Sequence, residues 1–115
     1  MPFINSKISF TLSKAQEEEI KTKLGKAIEL IPGKSESWLM VGFEDNYTLY
    51  FKGEKSPKIV FVEVKIFGRA SKEDYDKMTA EISRIYKEVT GVPEDKIYIK
   101  YEEVTTAWGW NGVNF

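Results

Sequence analysis

Pro2 is the residue of this sequence best suited to chemistry at neutral pH. The 115 residues contain no histidine and no cysteine, which excludes a thiolate nucleophile, a zinc-finger site and a histidine-based triad. If Met1 is removed, Pro2 carries a free secondary amine, and an α-amino group has a pKa of about 7.7–8.0. Burial or a nearby cation lowers this pKa further. Pro2 is therefore a candidate general base, although Met-Pro starts are common and mostly reflect processing.

Other motifs with chemical potential are few and weak. The sequence has no phosphate-binding loop, dinucleotide-binding glycine motif or nucleophile elbow. Acidic clusters at Glu17–Glu19 and Glu102–Glu103 are typical of a solvated helix face and a strand end, so no metal site is expected. Trp108 and Trp110 could form a stacking platform for bases or sugars. Because no basic stripe accompanies them, hydrophobic docking of the uncharged tail (residues 105–115) is favoured.

Charge and hydropathy limit the partners. Seventeen basic and 18 acidic residues give a formal net charge of −1, which argues against a protein that binds the phosphate backbone of nucleic acid. No segment reaches the roughly 18 apolar residues of a membrane span, and the first residues lack the pattern of a signal peptide. We therefore expect no nucleic-acid partner, no membrane partner and, by default, a cytoplasmic protein whose export would be non-classical.

Hydrophobic periodicity predicts the elements that position the candidate base. Alternation over Phe3–Phe10 predicts a strand. A capping-box motif at Ser13 begins a helix with apolar residues at helical spacing, and Pro32-Gly33 ends it. A second strand is predicted over Trp38–Phe43. The first part of the chain is therefore a strand–helix–strand unit.

The same pattern returns at a constant offset of 58 residues, without a gap. The second copy has a strand over Ile59–Phe67, a helix from Ser71 to Gly91, and a strand over Ile97–Tyr101. We interpret the chain as one domain, residues 1–115, with an internal pseudo-repeat whose halves are about 2–57 and 58–115.

Two such units predict an α+β fold. A helical crossover pairs the two strands of each unit in parallel, with a right-handed connection. Side by side, the units make a four-stranded mixed sheet with two helices on one face. The other face is left bare and carries apolar residues, which predicts oligomerisation. Outside the repeat, Tyr47–Phe51 predicts a short aromatic strand, and the tail, residues 105–115, predicts a small edge hairpin.

Five short motifs, each weak alone, occur in one order and spacing. They are Met1-Pro2-Phe3-Ile4, Gly33-Lys34, Ile66-Phe67-Gly68, Asp95-Lys96-Ile97-Tyr98-Ile99 and Gly109-Trp110-Asn111. Together they resemble the macrophage migration inhibitory factor family, of the tautomerase superfamily, over essentially the whole chain. The resemblance implies a homotrimer in which three sheets pack into a barrel-like core, with the pockets between subunits.

The resemblance also implies an activity, the keto–enol tautomerisation of an α-keto acid such as phenylpyruvate, without a cofactor. Pro2 would move the proton. Lys34 would pair with the substrate carboxylate and lower the pKa of Pro2, the backbone amide of Ile66 would contact substrate, and Tyr98 would enter from the adjacent subunit. The implied aromatic lining consists of Trp110, Phe115 and, at the rim, Trp38.

Some positions depart from the family pattern. Lys100 replaces a common asparagine and adds a positive charge that could favour dianionic substrates, and Trp108 replaces a smaller aliphatic residue and narrows the pocket. Lys58–Phe61 stands where the family has a C-x-x-C motif, so thiol oxidoreductase activity is not expected. Two alternatives stay open. One is a cytokine-like protein that binds a host receptor and has a weak or vestigial site, and the other is a related enzyme that decarboxylates or hydrates small acids.

Overall fold

The computed structural model describes residues 1–115, and its elements follow the predicted order. The strands and helices are β1 (Pro2–Ile8), α1 (Lys14–Ala27), β2 (Met40–Glu44), β3 (Tyr50–Phe51), β4 (Glu54–Lys55), β5 (Val60–Phe67), α2 (Lys72–Thr90), β6 (Ile97–Val104), β7 (Gly109–Trp110) and β8 (Val113–Asn114). Short 3-10 helices lie at Ile28–Leu30, Glu36–Trp38 and Glu94–Lys96. None of the helices is long and apolar enough to cross a membrane.

The main sheet has four strands in the order β2-β1-β5-β6. The pairs β1–β2 and β5–β6 are parallel, and β1–β5 is antiparallel. Each predicted unit therefore contributes one parallel pair, and the two units meet at the centre of the sheet. The predicted α+β fold with a four-stranded mixed sheet and two helices is confirmed.

The core lies between the helices and one face of this sheet. Alternate residues of β1 and β5 are buried, and they pack in one cluster with Leu24 of α1 and with Ile82 and Tyr86 of α2. Both helices begin with a complete capping box, at Ser13 and at Ser71. The predicted apolar stripes and helix starts are thus confirmed.

The predicted strand over Trp38–Phe43 is wrong at its start. Residues 36–38 wind into a 3-10 turn, in which the Leu39 N–H donates to the Glu36 carbonyl at 3.1 Å. β2 begins only at Met40, where pairing with Phe3 of β1 begins. The aromatic side chain at position 38 therefore belongs to a turn beside the sheet.

Other strand limits also move, because pairing with neighbouring strands decides where each one ends. β1 covers Pro2–Ile8 instead of Phe3–Phe10, since its last partner on β5 is Val60. β6 continues beyond Tyr101 to Val104, which pairs with Phe67. The predicted aromatic strand over 47–51 shrinks to Tyr50–Phe51, a two-residue strand paired with β4.

The sheet face away from the helices carries both apolar and polar residues. Aromatic residues such as Phe3 and Phe61 alternate on it with polar ones, because Asn5 and Lys7 share this side of β1. The Lys7 Nζ lies 2.5 Å from the Glu63 Oε1 on β5, and this pairing lowers the pKa of Glu63. This face therefore mixes apolar patches with ion pairs.

Candidate functional site

Pro2 is the first residue of β1, which is a central strand of the sheet. Proline is tolerated at the first position of a strand because its missing N–H is not needed there. Pro2 is buried and pairs with Ile66 of β5. Met1 extends the pairing, since its carbonyl accepts a hydrogen bond from the Phe67 N–H at 3.1 Å. Met1 is present in this structure, so the Pro2 nitrogen is an amide and the free amine belongs to Met1.

A groove of about 400 Å³ opens beside Pro2. Its walls come from three segments: the start of β1, the 3-10 turn with the residues that lead into β2, and the tail hairpin. The lining residues are Met1, Pro2, Phe3, Ser37, Trp38, Leu39, Met40, Trp108, Gly109 and Trp110. The groove, which we call the tryptophan groove, is therefore largely apolar and aromatic.

The turn at residues 36–38 brings two tryptophans together across this groove. The rings of Trp38 and Trp110 meet edge to face, with centroids 5.1 Å apart and an interplanar angle of 86°. About half of each side chain is still exposed. The pair forms one wall of the tryptophan groove and leaves its mouth open to a flat apolar ligand.

Lys34 supplies a positive charge beside the Met1 amine, although it does not line the tryptophan groove. Gly33, with φ +81°, reverses the chain after Ile31, and the Lys34 N–H donates to the Ile31 carbonyl at 3.1 Å. The half-buried side chain then reaches the end of β5, where Nζ donates to the Phe67 carbonyl at 2.5 Å. A left-handed backbone conformation that favours glycine thus directs the lysine to the N-terminal end of β1.

Burial, followed by the charge and hydrogen bonding of Lys34, lowers the pKa of the Met1 amine below its ordinary value of 8.0. A like charge nearby disfavours the protonated amine, and so does the loss of water around it. A larger fraction of the terminal amine is therefore unprotonated near neutral pH, and so able to accept a proton, than at a free chain end. The same lysine can hold an anionic group of a ligand close to that amine.

The tail hairpin docks on the sheet through Phe67. The ring of Phe115 lies 5.0 Å and that of Trp108 lies 6.5 Å from the Phe67 ring, both edge to face. The Phe115 N–H also donates to the Trp108 carbonyl at 3.0 Å, which closes the hairpin. The predicted edge hairpin is confirmed. Phe115 is not among the residues that line the tryptophan groove.

The structure thus brings together most of the residues that the sequence suggested. Pro2, Trp38, Trp108 and Trp110 line one groove, and Lys34 lies at the terminal amine. Ile66 pairs with Pro2, but its side chain is fully buried in the core, so only its backbone can face a ligand.

Tyr98 and Lys100 lie elsewhere on the same chain. Tyr98 pairs with Phe61, five residues from Ile66 along β5, which is roughly 17 Å at about 3.3 Å per residue. Its ring packs 5.6 Å from Phe51 in a separate depression of about 240 Å³. Lys100 pairs with Glu63, roughly 10 Å from Ile66 by the same measure. One chain does not bring either residue to Pro2.

Sequence reasoning missed Phe67 as a functional residue. Its carbonyl binds Lys34, its N–H binds Met1, and its ring holds the tail. The tripeptide Ile66-Phe67-Gly68 was the only available signal, and it points to a backbone role only through the glycine. No three His, Cys, Asp or Glu side chains gather where they could hold a metal ion.

The comparisons with a family model and with solved structures agree on one family. Residues 1–115 match the family model described as macrophage migration inhibitory factor. The solved structure of MIF2 from Leishmania major is similar, with 27% identity and a TM-score of 0.91 over 100% of this chain and 97% of that one. A homologue from Prochlorococcus marinus has 26% identity and a TM-score of 0.82 over 98% of each chain.

A third structure, macrophage migration inhibitory factor of Toxoplasma gondii, shares the fold. It has 23% identity and a TM-score of 0.89 over 98% of this chain and 99% of that one. No curated protein matches the chain.

Proposed function

The chain belongs to the macrophage migration inhibitory factor family, and from this membership we propose that it is a cofactor-independent keto–enol tautomerase. Its substrates would be α-keto acids of the phenylpyruvate type. The general acid and base would be the secondary amine of Pro2, exposed when Met1 is removed. The observation that carries this proposal is that Pro2 lines an apolar groove at the chain terminus, where burial and then the charge of Lys34 lower the pKa of the amine that Met1 carries in this structure.

The proposed reaction needs only one proton carrier. The Pro2 nitrogen takes the proton from the enol hydroxyl, the C=C electron pair takes up a proton at carbon, and the enol C–O becomes C=O. The proton returned to carbon comes from the Pro2 ammonium, so the amine is regenerated and nothing is consumed. Lys34 would hold the substrate carboxylate, which keeps the reacting atoms within reach of the amine. The tryptophan groove would take the aromatic side chain and exclude water from it.

We further propose a homotrimer with the pockets between subunits. The support is the exposed position of Tyr98 and Lys100 on the sheet face away from the helices, far from Pro2 of their own chain. In a trimer, these residues would complete the site of the adjacent subunit. Light scattering should then give about three times the chain mass of 13.3 kDa, and a mass near that of one chain would contradict the assembly.

The activity is tested with protein whose mass shows that Met1 is absent. Ketonisation of enol-phenylpyruvate is followed by absorbance for wild type, Pro2→Ala and Lys34→Ala. We expect Pro2→Ala to abolish turnover, because the base becomes a differently placed primary amine, and Lys34→Ala mainly to raise KM, because the carboxylate loses its partner. Lys72→Ala is the matched control, since it removes the same charge from a side chain that is 88% exposed at the start of α2.

Full activity in Pro2→Ala would refute the mechanism. A processed wild-type protein that is inactive on every α-keto acid tried would favour the alternative, a cytokine-like protein that binds a host receptor.

A further inference from the structure

We propose that Glu103 and Tyr75 are positioning residues of the candidate site. They hold the short loop Gly68–Ala70, which follows β5, so that the Phe67 carbonyl stays against the Lys34 ammonium. The kinetic consequences rest on the proposed function, whereas the geometry and the titration test below do not depend on turnover.

The first step of the argument concerns one peptide unit. The Phe67 carbonyl and the Gly68 N–H belong to the same planar trans peptide, so they point in opposite directions. The Gly68 N–H donates to the Val104 carbonyl of β6 at 2.8 Å. That bond turns the Phe67 carbonyl away from β6 and toward Lys34, whose Nζ donates to it at 2.5 Å. The orientation of the lysine's partner is therefore set by the attachment of the loop to β6.

The same glycine allows the turn that the loop makes. Gly68 has φ +108°, a conformation that glycine adopts freely and other residues rarely do. Glycine also leaves the backbone more freedom than any other residue, so an attachment at the other end of the loop restricts it further.

Glu103 provides that second attachment. Its Oε2 accepts a hydrogen bond from the Ala70 N–H at 3.2 Å and another from the Tyr75 hydroxyl at 2.6 Å. Tyr75 lies in the first turns of α2, and its ring packs on Tyr101 of β6 with centroids 4.4 Å apart. One carboxylate thus links the loop to both β6 and α2. The loop is fixed at Gly68 by the backbone and at Ala70 by this side chain.

The protonation of these groups is suited to a lasting contact. Hydrogen bonds from Tyr75 and Ala70, together with the charge of Arg69, lower the pKa of Glu103. Burial first, and then the Glu103 carboxylate, raise the pKa of Tyr75. The carboxylate therefore stays ionised and the hydroxyl stays protonated across the neutral range, so the contact does not open where the amine titrates.

We call the contacts of Glu103 with Ala70 and Tyr75 the clamp. It has an effect that a merely structural contact would not produce. If the loop loosens, Lys34 loses its carbonyl partner and moves away from the terminal amine, whose pKa it holds down together with burial. The pKa of that amine should then rise toward its ordinary value, because a like charge has left. The substrate carboxylate should also lose part of its binding partner.

The test compares wild type with Tyr75→Phe, Glu103→Ala and Glu103→Gln. In ¹⁵N-labelled protein whose mass shows that Met1 is absent, the Pro2 amine is titrated by NMR, and phenylpyruvate kinetics are measured over the same pH range. We expect the amine to titrate at higher pH in Tyr75→Phe and Glu103→Ala. KM should rise about three- to tenfold while kcat changes less than twofold, and Glu103→Gln, which keeps one acceptor oxygen, should lie between these variants and wild type.

Two matched control variants test whether the effect requires the contacts of Glu103 and Tyr75, or follows from the loss of any carboxylate or hydroxyl. Glu102→Ala removes the same charge from the opposite face of β6, and Tyr50→Phe removes a hydroxyl from an exposed tyrosine of β3 that contacts neither Glu103 nor Tyr75. Both should leave the amine titration unchanged. Thermal unfolding shows whether each variant is folded. If Glu103→Ala does not fold, Tyr75→Phe, which is the mildest change, decides the test.

An amine titration in folded Tyr75→Phe and Glu103→Ala that matches wild type would overturn the clamp. So would an equal change in the two controls. If the wild-type protein has no turnover, the proposed tautomerase fails, and the titration alone decides whether the clamp exists.

Discussion

The two halves of the chain follow one plan and differ mainly after the helix. Both helices start with a serine capping box. α2 then runs to Thr90 and ends at Gly91 in the left-handed conformation, whereas α1 stops at Ala27 and continues as a 3-10 turn. The 3-10 turn Glu36–Trp38 that follows has a counterpart at the offset of 58 residues, Glu94–Lys96. The first half thus differs in the 3-10 turn Ile28–Leu30, with which its helix ends.

The two halves also differ at the residue that follows the glycine they share, Gly33 in the first half and Gly91 in the second. At the offset of 58 residues, Lys34 corresponds to Val92. Val92 is fully buried in the core, whereas Lys34 is half-buried and binds the Phe67 carbonyl. The same backbone reversal therefore serves the core in one half and the candidate site in the other. In this fold, the irregular half supplies the charge and much of the groove, and the regular half supplies their support.

The largest expected effect tests whether the halves share one core. Leu24 and Ile82 correspond in the repeat, and both are fully buried. Leu24→Ala and Ile82→Ala should each lower the free energy of unfolding by about 2–5 kcal/mol, because each leaves a cavity. Urea unfolding measures both. Costs that differ by more than about 2 kcal/mol would show that the halves are not packed equally.

The next prediction sharpens the contrast between Lys34 and Val92. Val92→Ala should lower the free energy of unfolding by roughly 1–3 kcal/mol, since it removes buried methyl groups. Lys34→Ala should change it by about 0.5 kcal/mol or less, as is usual for polar residues that are not part of a core. Urea unfolding of the two variants measures both changes in the free energy of unfolding. A large loss of stability in Lys34→Ala would mean that this lysine is a structural support and not a site residue.

A smaller effect is expected where the halves agree. Ser13→Ala and Ser71→Ala should each cost about 1 kcal/mol, because each removes the acceptor for a free N–H at the start of a helix. Ser13→Asp and Ser71→Asp keep an acceptor and should recover most of the loss. Thermal unfolding checks all four variants. Unequal costs would extend the difference between the halves to the starts of the helices.

The smallest expected effect concerns the ion pairs that join the helices. Lys23 of α1 contacts Glu88 of α2 at 2.9 Å, and Glu88 also contacts Arg84. Lys23, followed by Arg84, lowers the pKa of Glu88 below its ordinary value of 4.5, and Arg84 does the same for Glu81. A carboxylate with a lowered pKa stabilises the fold above its ordinary pKa, and this contribution is lost as the pH falls through the lowered value.

Stability should therefore decline from about pH 5 to about pH 3, and Glu88→Gln should make this decline slightly shallower. Denaturation at several pH values measures the slope. An unchanged slope in Glu88→Gln would show that this exposed cluster adds nothing to the link between the halves.

The regular parts of the molecule could be predicted from the sequence because periodicity and capping are local signals. Ser71, Gly91 and the stripe between them define α2 almost to the residue. The segment after α1 could not be predicted in the same way, since three-residue turns such as 36–38 leave no periodic pattern. Trp38 was consequently assigned to a strand, although its side chain lines the tryptophan groove.

In the candidate site, the side chains could be predicted from the sequence, but the backbone contacts could not. The position of Pro2 suggested a base, the family resemblance implied that Lys34 is a cation and Trp110 part of an aromatic wall, and the structure brings them near each other. The Phe67 carbonyl was not predicted, because every residue has a carbonyl and only the pairing of the sheet decides which one points at Lys34. The contacts of Tyr98 with another subunit stay a prediction, since pairing within one chain does not determine them.

The position of β1 in the middle of the sheet has a consequence for mobility. The first residues of a protein are usually its most mobile part. A reactive group placed there would lose conformational entropy each time a ligand binds. Here Pro2 and Met1 are fixed by pairing with β5, and Phe3 also pairs with β2. The entropy of placing the amine is lost once, when the chain folds. Residues added ahead of Met1, such as an affinity tag, would emerge beside the tryptophan groove.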